Sequence, residues 1–365
     1  MSFHIAGIGT SLPPFTAHQQ EAAEVAARFA HTDDRRARML RLLYRKSGVH
    51  TRRAVSVRGG DQPLKERIPY YPLPTDESDL GPTTADRMRW YGEQARPLAL
   101  QSAVAALDDS GMAASDITHL VTVSCTGFDA PGVDAHLIEQ LGISRGVART
   151  HVGFMGCHGA MNGLRTAGAY AGADPDARVL VNAVELCSLH FAYGWDEEML
   201  VANTLFADGS ASVVGHGGPA PAAEGGWTIR GHGSFLMPDS AEAMTWGIGD
   251  HGFRMTLSPR VPEAIREYLP GWIEQWLGTY DLTVAEVESW AVHPGGPRIL
   301  DAVRDSLEID ESELTVSRET LRDYGNMSSP TVLFILDRLR REQRPRPCVA
   351  LAFGPGLAVE AALVM

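Results

Sequence analysis

Residues 151–171 read HVGFMGCHGAMNGLRTAGAYA, and residues 177–186 read ARVLVNAVEL. The first stretch opens on a short apolar strand and runs into a helix rich in small residues. The second is a continuous apolar run suited to a strand covered on both faces. Gly163, Ala167 and Gly168 would let that helix be buried against a partner. Strand, loop, helix and strand in close succession make the building unit of an α/β protein.

The same alternation extends in both directions. On the N-terminal side, HIAGIGTSLPP (4–14) reads as a strand ending in a Gly/Pro turn. Helices are expected over about 19–30 and 85–110, with ITHLVTVSC (117–125) as a buried strand. The polar, Pro- and Gly-rich stretch 55–84 reads as a long surface loop. On the C-terminal side, LFADGSASVVGHG (205–217), WTIRGHGSF (227–235), SWAVH (289–293), PCVALAF (347–353) and AVEAALV (358–364) read as strands. Helices are expected over 262–277 and from near Pro297 and Ser328.

An internal repeat emerges from the spacing. The strand ending at Cys125 is followed by Pro131-Gly132, and Cys157 stands 32 residues after Cys125. The strand ending at His293 is followed by Pro294-Gly295, and Asn326 stands 33 residues after His293. Duplicated halves, divided at 1–222 and 223–365, would bring these loops together at the middle of the molecule. Cys157, His293 and Asn326 would then be neighbours.

Composition limits the function. The chain has 365 residues, 44% of them hydrophobic, enough for a large core. A net charge of −13 argues against nucleic-acid binding, which needs clustered Lys and Arg. No stretch approaches the length of a membrane-spanning helix. The first residues, MSFHIAGIGTSLPP, lack the apolar run of a secretory leader. Four cysteines without C-x-x-C or zinc-type spacing suit a reducing compartment, so a cytoplasmic protein without a metal site is expected.

Three residues could carry chemistry together. Cys157 would sit at a helix start, where free amides and the helix dipole favour a thiolate. A thiol among small residues equally suits a packed core position. His293 ends a strand and would present its imidazole at a sheet end, able to shuttle protons. Asn326 is either a helix cap or a neutral donor facing a developing oxyanion. His158 points to another face and reads as structural.

GFMGCHGA (153–160), AVHPGGPRIL (291–300), YGNMSSPTVLFILD (324–337) and AFGPGLAVEAAL (352–363) together resemble the type III polyketide synthases, the chalcone and stilbene synthase superfamily. The resemblance spans roughly Ile117 to the C-terminus and, more loosely, the first third. It implies a thiolase-like α/β fold of αβαβα layers, built from two pseudo-duplicated halves, and a homodimer. Substrates would be an acyl-CoA starter and malonyl-CoA, with no cofactor. Cys157 would take the starter, while His293 and Asn326 promote decarboxylation and hold the enolate. An imidazolium at His293 could keep Cys157 as a resting thiolate.

The same resemblance implies a substrate pocket formed by Cys125, Ala130, Glu185, His190, Phe206, Trp246, Met255, Ser328, Gly354 and Pro355. Phe206 matches a gatekeeping aromatic, although a core aromatic would look the same. Met255 stands where a second Phe is usual, and Phe253 could compensate. Ala130 replaces a Met that reaches into the partner's pocket. Trp246 and His190 are bulkier than usual and would shrink the cavity. Lys46, Arg52 and Arg53, in RKSGVHTRR (45–53), resemble the cluster that holds coenzyme A phosphates; Arg298 stands where a small residue is usual. Two other readings remain open: a ketoacyl synthase that initiates fatty acids, and a catalytically silent thiolase-fold subunit.

Overall fold

The computed structural model describes residues 2–218 and 226–365. The boundary expected between residues 222 and 223 lies outside them. The chain opens with β1 (Phe3–Ser11), β2 (Thr16–His18), α1 (Gln19–Phe29), α2 (Asp34–Lys46) and β3 (Thr51–Arg53). There follow α3 (Thr84–Ser110), β4 (His119–Ser124), α4 (Val133–Leu141), β5 (Ala148–Gly153), α5 (Gly159–Ala173) and β6 (Arg178–Leu186). Next come α6 (Glu197–Leu205), β7 (Asp208–His216), β8 (Trp227–Leu236), the hairpin β9 (Met244–Gly249) and β10 (Gly252–Leu257), and α7 (Val261–Gly278). The chain closes with β11 (Ser289–Val292), α8 (Pro297–Leu307), α9 (Thr315–Tyr324), α10 (Thr331–Arg341), β12 (Cys348–Gly354) and β13 (Ala358–Val364).

Nine strands form one mixed sheet in the order β11-β12-β13-β8-β1-β7-β6-β4-β5. Its two halves repeat one wiring. In the first, β4 runs parallel to β6, and β6, β7 and β1 pair antiparallel in turn. In the second, β11 runs parallel to β12, and β12, β13 and β8 pair antiparallel in turn. Strands β1 and β8 join the halves, Phe3–Ile5 lying opposite Trp227–Ile229.

Side-chain alternation sorts the strand residues into layers. Val121, Val123, Val179 and Val181 share a core with Met161 and Leu164 of α5, and with Val332, Leu333 and Leu336 of α10. Ala350, Ala352 and Ala362 of the second half enter that same core. The opposite faces pack outward. Leu120, Leu180 and Val214 meet Leu98, Ala99 and Ala103 of α3. Val349, Leu351 and Phe353 meet Ile265, Leu269 and Ile273 of α7. The result is α3/α4, half-sheet, α5/α10, half-sheet, α7/α8, the five expected layers.

Of the middle helices, α5 is rich in small residues, which lets it lie close against the sheet. At Gly163 a Cβ would lie 2.9 Å from a Val123 methyl, so α5 approaches β4 as closely as a backbone can. The long α3 begins at a capping box of Thr83 and Asp86 and ends at Gly111, whose φ of 66° is left-handed.

Residues 55–84 depart from the surface loop expected of them. Val57, Leu64 and Tyr71 are buried and join Val25 and Phe29 in a cluster of their own. Polar composition hid this, because only every few residues points inward. Helices α2, α4, α6 and α9 and the β9–β10 hairpin have no counterpart in the sequence reading. They are short, and α2 is Arg-rich enough to mask its apolar stripe of Leu40 and Tyr44.

Candidate active site

The nucleophile candidate follows β5 through a strained turn. Phe154, at φ 60°, and Gly156, at φ 68°, reverse the chain, and a single 3₁₀ turn, Gly156–His158, precedes α5. Cys157 therefore sits one turn ahead of α5, not on its first residue. A Cβ at Gly156 would lie 2.4 Å from the Pro355 Cδ, so only glycine lets the turn after β12 close over Cys157.

Asn326 occupies the matching place ahead of α10. Its backbone is fixed by bonds to Leu205 O and from Ala207 N, both at 2.9 Å. Its side-chain oxygen accepts from Ser328 N at 2.8 Å. That leaves the amide nitrogen to face Cys157, and both it and the Ser328 hydroxyl act to favour the thiolate. Ser328 itself has φ 58°, a conformation non-glycine residues rarely adopt outside functional sites. The helix expected from Ser328 accordingly begins only at Thr331.

His293 follows β11 as Cys125 follows β4. It is 1% exposed, its N–H donates to Leu351 O at 2.8 Å, and neither ring nitrogen has a partner among the described residues. His158, next to Cys157, is near enough to act on its charge. His158 is itself buried and held at 2.9 Å to the Asn162 side chain, in line with its structural reading.

Burial bears on the resting ion pair expected from the sequence. Burial pushes the Cys157 thiol up to about 11, partly opposed by Ser328 and Asn326. Burial, helped by His158, pulls the His293 imidazole down to about 3. A dry pocket penalises each charge taken singly, which works against the resting ion pair.

Cys157 opens on a cavity of about 350 Å³, whose walls include Cys125, Phe206, Trp246, Met255, Ser328 and Pro355. Trp246 and Met255 face each other across the β9–β10 hairpin. The Trp246 indole donates to the Cys125 carbonyl at 2.8 Å, and the Cys125 thiol meets the Ser328 hydroxyl at 3.3 Å. Phe206 bridges directly to Asn326.

Four expected pocket residues lie elsewhere. Glu185 is fully buried and accepts from Cys125 N, Thr126 Oγ1 (2.7 Å) and Ser329 Oγ (2.6 Å). It braces β4, β6 and the loop before α10, and is not part of the cavity wall. His190 stands behind the wall. Its Nε2 donates to Thr126 O at 2.7 Å, its Nδ1 accepts from Phe253 N at 3.0 Å, and its ring stacks on Phe253 at 4.1 Å. Phe253 thus supports Trp246 from behind and does not narrow the cavity. Gly354 is packed against His158, where a Cβ would lie 2.3 Å from the ring. Ala130 is exposed on the surface and absent from its own chain's cavity, as expected of a position that faces a partner's pocket.

The basic cluster divides. Arg52 is buried, and its guanidinium donates to the carbonyls of Asn203, Thr204 and Phe206 and to Gln19 Oε1. A phosphate in solvent cannot reach it. Arg53 is tied to Pro14 O at 2.6 Å. Lys46 is exposed at the end of α2, close to Gly48, which packs near Pro297 and Leu321.

Sequence reasoning missed Thr126 and Ser329, which anchor Glu185, and Asp208, which accepts from Val55 N and Ser188 N at 2.7 Å. Ser329 and Asp208 stand inside the quoted motifs, in GNMSS and LFADG, Thr126 directly follows ITHLVTVSC, and that adjacency was the available signal.

Comparison with known proteins shows the family. The N-terminal domain of chalcone and stilbene synthases matches residues 3–219, and the C-terminal domain matches 232–365. A 1,3,6,8-tetrahydroxynaphthalene synthase of Streptomyces peucetius subsp. caesius is 34% identical, covering 99% of this chain and 92% of its own. The alpha-pyrone synthesis polyketide synthase-like Pks18 of Mycobacterium tuberculosis is 32% identical, covering 98% and 90%. PKS-I from the brown alga Ectocarpus siliculosus superposes with a TM-score of 0.91 at 31% identity, covering 100% of this chain and 98% of that one. The chain belongs to the chalcone and stilbene synthase family and is a type III polyketide synthase, an acyltransferase that joins a starter to extender units by decarboxylative condensation.

Proposed function

We propose that Cys157 is the loading nucleophile and that His293 and Asn326 serve both half-reactions. The observation that carries this is the convergence of three loops. The Cys157 thiol lines the cavity with the Asn326 carboxamide bonded toward it, and the buried His293 imidazole, with no partner among the described residues, lies near His158, the neighbour of Cys157. The Cys157 sulfur attacks the carbonyl of an acyl-CoA starter while neutral His293 takes its proton. The tetrahedral oxyanion collapses, the thioester bond to coenzyme A breaks, and the proton leaves with the coenzyme A thiol. Malonyl-CoA then loses carbon dioxide, and Asn326 and the imidazole hold the resulting enolate oxygen. Attack of the enolate carbon on the acyl-Cys157 carbonyl forms the new carbon–carbon bond and expels the Cys157 thiolate, which a proton from solvent returns to the thiol.

The active form in this reading is a cytoplasmic homodimer that needs no cofactor. No helix among the described residues is long and apolar enough to cross a membrane. Lys46 remains the candidate for coenzyme A phosphates. Trp246 leaves little room beside Cys157, which supports few extensions or an unusual starter. The test is incubation of purified protein with malonyl-CoA and a panel of acyl-CoA starters, with products identified by mass spectrometry. Condensation retained by Cys157→Ala would overturn the assignment, and absence of product from every starter would favour a silent subunit. Light scattering after size exclusion reads the dimer.

A further inference from the structure

Helix α2 concentrates positive charge in an acidic chain. Six of the 32 Lys and Arg residues fall within its 13 residues, Asp34–Lys46, while the whole chain carries a net charge of −13. Leu40 and Tyr44 are buried and anchor the helix against Ala23 and Ala26 of α1 and Leu200 of α6. The helical period then places Arg35, Arg38, Met39, Leu42 and Lys46 on the opposite face. All five are exposed, Met39 to 47% and Leu42 to 39%, with Leu43 beside them at 36%.

The protein engages only two of the six cations. Arg41 pairs with Glu24 at 2.7 Å, and the Arg36 guanidinium lies over the Trp195 ring at 5.0 Å. Arg35, Arg38, Arg45 and Lys46 have no salt-bridge partner among the described residues. Free cations interleaved with neighbouring apolar side chains make the composition of an interface, where Arg and Met are enriched.

The end of the helix shows where this face leads. A Cβ at Gly48, two residues past α2, would lie 3.4 Å from a Leu321 methyl and 3.8 Å from Pro297. Leu321 precedes Asn326 by five residues, and Pro297 follows His293 by four. The helix thus runs from open surface to the segments that hold two catalytic side chains. Arg35 stands 11 residues before Lys46, about 16 Å away along the axis. Phosphates held at Lys46 do not reach it. The far end of the row therefore suits something larger than coenzyme A.

Resting on the assignment of Cys157 as the loading nucleophile, we infer that the exposed face of α2 docks an acidic acyl carrier protein that delivers the starter. Acidic side chains of the carrier pair with Arg35 and Arg38, and its apolar residues cover Met39 and Leu42. The phosphate of its phosphopantetheine meets Lys46. The acyl carbonyl passes from the pantetheine sulfur to Cys157, the Cys157 proton goes to the departing pantetheine thiol, and the carrier leaves. Attraction between opposite charges speeds such an encounter and weakens with salt.

The test loads the best starter of the panel onto a purified acidic acyl carrier protein of fatty acid synthesis. It is compared with the same acyl group on coenzyme A and on pantetheine. In the wild type, kcat/KM for the carrier substrate should exceed that for acyl-pantetheine by about tenfold at low salt, and the advantage should shrink as salt is added. Arg35→Glu, Arg38→Glu and Leu42→Asp should each lower the carrier value by about fivefold or more. Each should leave the acyl-CoA value within about twofold, which also shows that the variant is folded. No advantage of the carrier over pantetheine would overturn the inference. Equal losses on both substrates would overturn it in favour of coenzyme A. Sedimentation with phosphatidylglycerol vesicles, lost in Leu42→Asp and without any carrier effect, would overturn it in favour of a membrane. Loss of condensation with every starter, or condensation by Cys157→Ala, would instead overturn the assignment on which it rests.

Discussion

The Trp246 indole N–H donates to the Cys125 carbonyl at 2.8 Å, tying the β9–β10 hairpin to the end of β4. With Cys187 and Phe206, this side chain separates the catalytic cavity from an apolar cavity between α1, α6 and residues 54–71. Its ring also stands edge-on to His190 and Phe253, at 5.6 and 5.8 Å.

Trp246→Gly should merge the two spaces and shift products toward more extensions, read by mass spectrometry from one fixed starter. Removing so large a partly buried ring should cost about 3 kcal/mol of stability in urea unfolding. Unchanged chain length would show that the partition does not limit the product.

Asn326 supplies an acceptor to its own loop and a donor to the site. Asn326→Ala should lower kcat for condensation by about 10²- to 10³-fold, with KM little changed. It should also lose about 1 kcal/mol with the bond from Ser328 N. Asn326→Asp keeps the acceptor but not the donor, so it should recover the stability and not the rate.

Cys157 alkylation separates a neutral resting site from an ion pair. With the thiol held up to about 11 and the imidazole down to about 3, the thiolate fraction rises tenfold per pH unit across the neutral range. The iodoacetamide rate at Cys157, followed by peptide mass spectrometry, should climb steadily from pH 6 to pH 9. A plateau already reached near pH 6 would mean that His293 is an imidazolium paired with a thiolate.

His293 also has a cost in acid. Its folded value near 3 lies below the unfolded value of about 6.5. The unfolded chain therefore takes up a proton that the folded one refuses, and stability falls as pH drops below about 6.5. His293→Gln removes that proton. Its unfolding free energy should fall less steeply than the wild type's between pH 6 and pH 4, by about 1.4 kcal/mol per pH unit.

Arg52 and Lys46 should respond oppositely. Arg52→Ala strands three buried carbonyls and a carboxamide, and should lose more than about 3 kcal/mol. Lys46→Ala, on an exposed helix end, should leave stability within about 0.5 kcal/mol and raise KM for the acyl-CoA. Denaturant melts and starter kinetics on the two variants distinguish brace from binder.

Much of this architecture was legible beforehand because it rests on local signals. Apolar runs such as ARVLVNAVEL and VALAF mark strands covered on both faces, and the small-residue helix after Cys157 marks a middle layer. The spacings from Cys125 to Cys157 and from His293 to Asn326 exposed the duplication, which the strand pairing repeats. Less legible was the direction in which each side chain points. Glu185 and His190 stand in the right motifs, yet their polar atoms turn into the protein. Arg52 sits in a basic run that resembles a phosphate cradle, yet β3 carries it under α6. Such orientations depend on contacts between residues 59 to 154 positions apart.

The amino-acid order by itself determined the layered α/β fold, its duplication, and the identity of the thiol, imidazole and carboxamide. Each of these follows from hydrophobic periodicity or from a motif contiguous in the chain. Only the tertiary structure decided that Cys157 and His293 are buried where a lone charge is penalised, that Arg52 is a brace, and that residues 54–71 wall an apolar cavity. Those properties arise from burial and from distant surfaces closing on one another, and neither exists until the halves have packed.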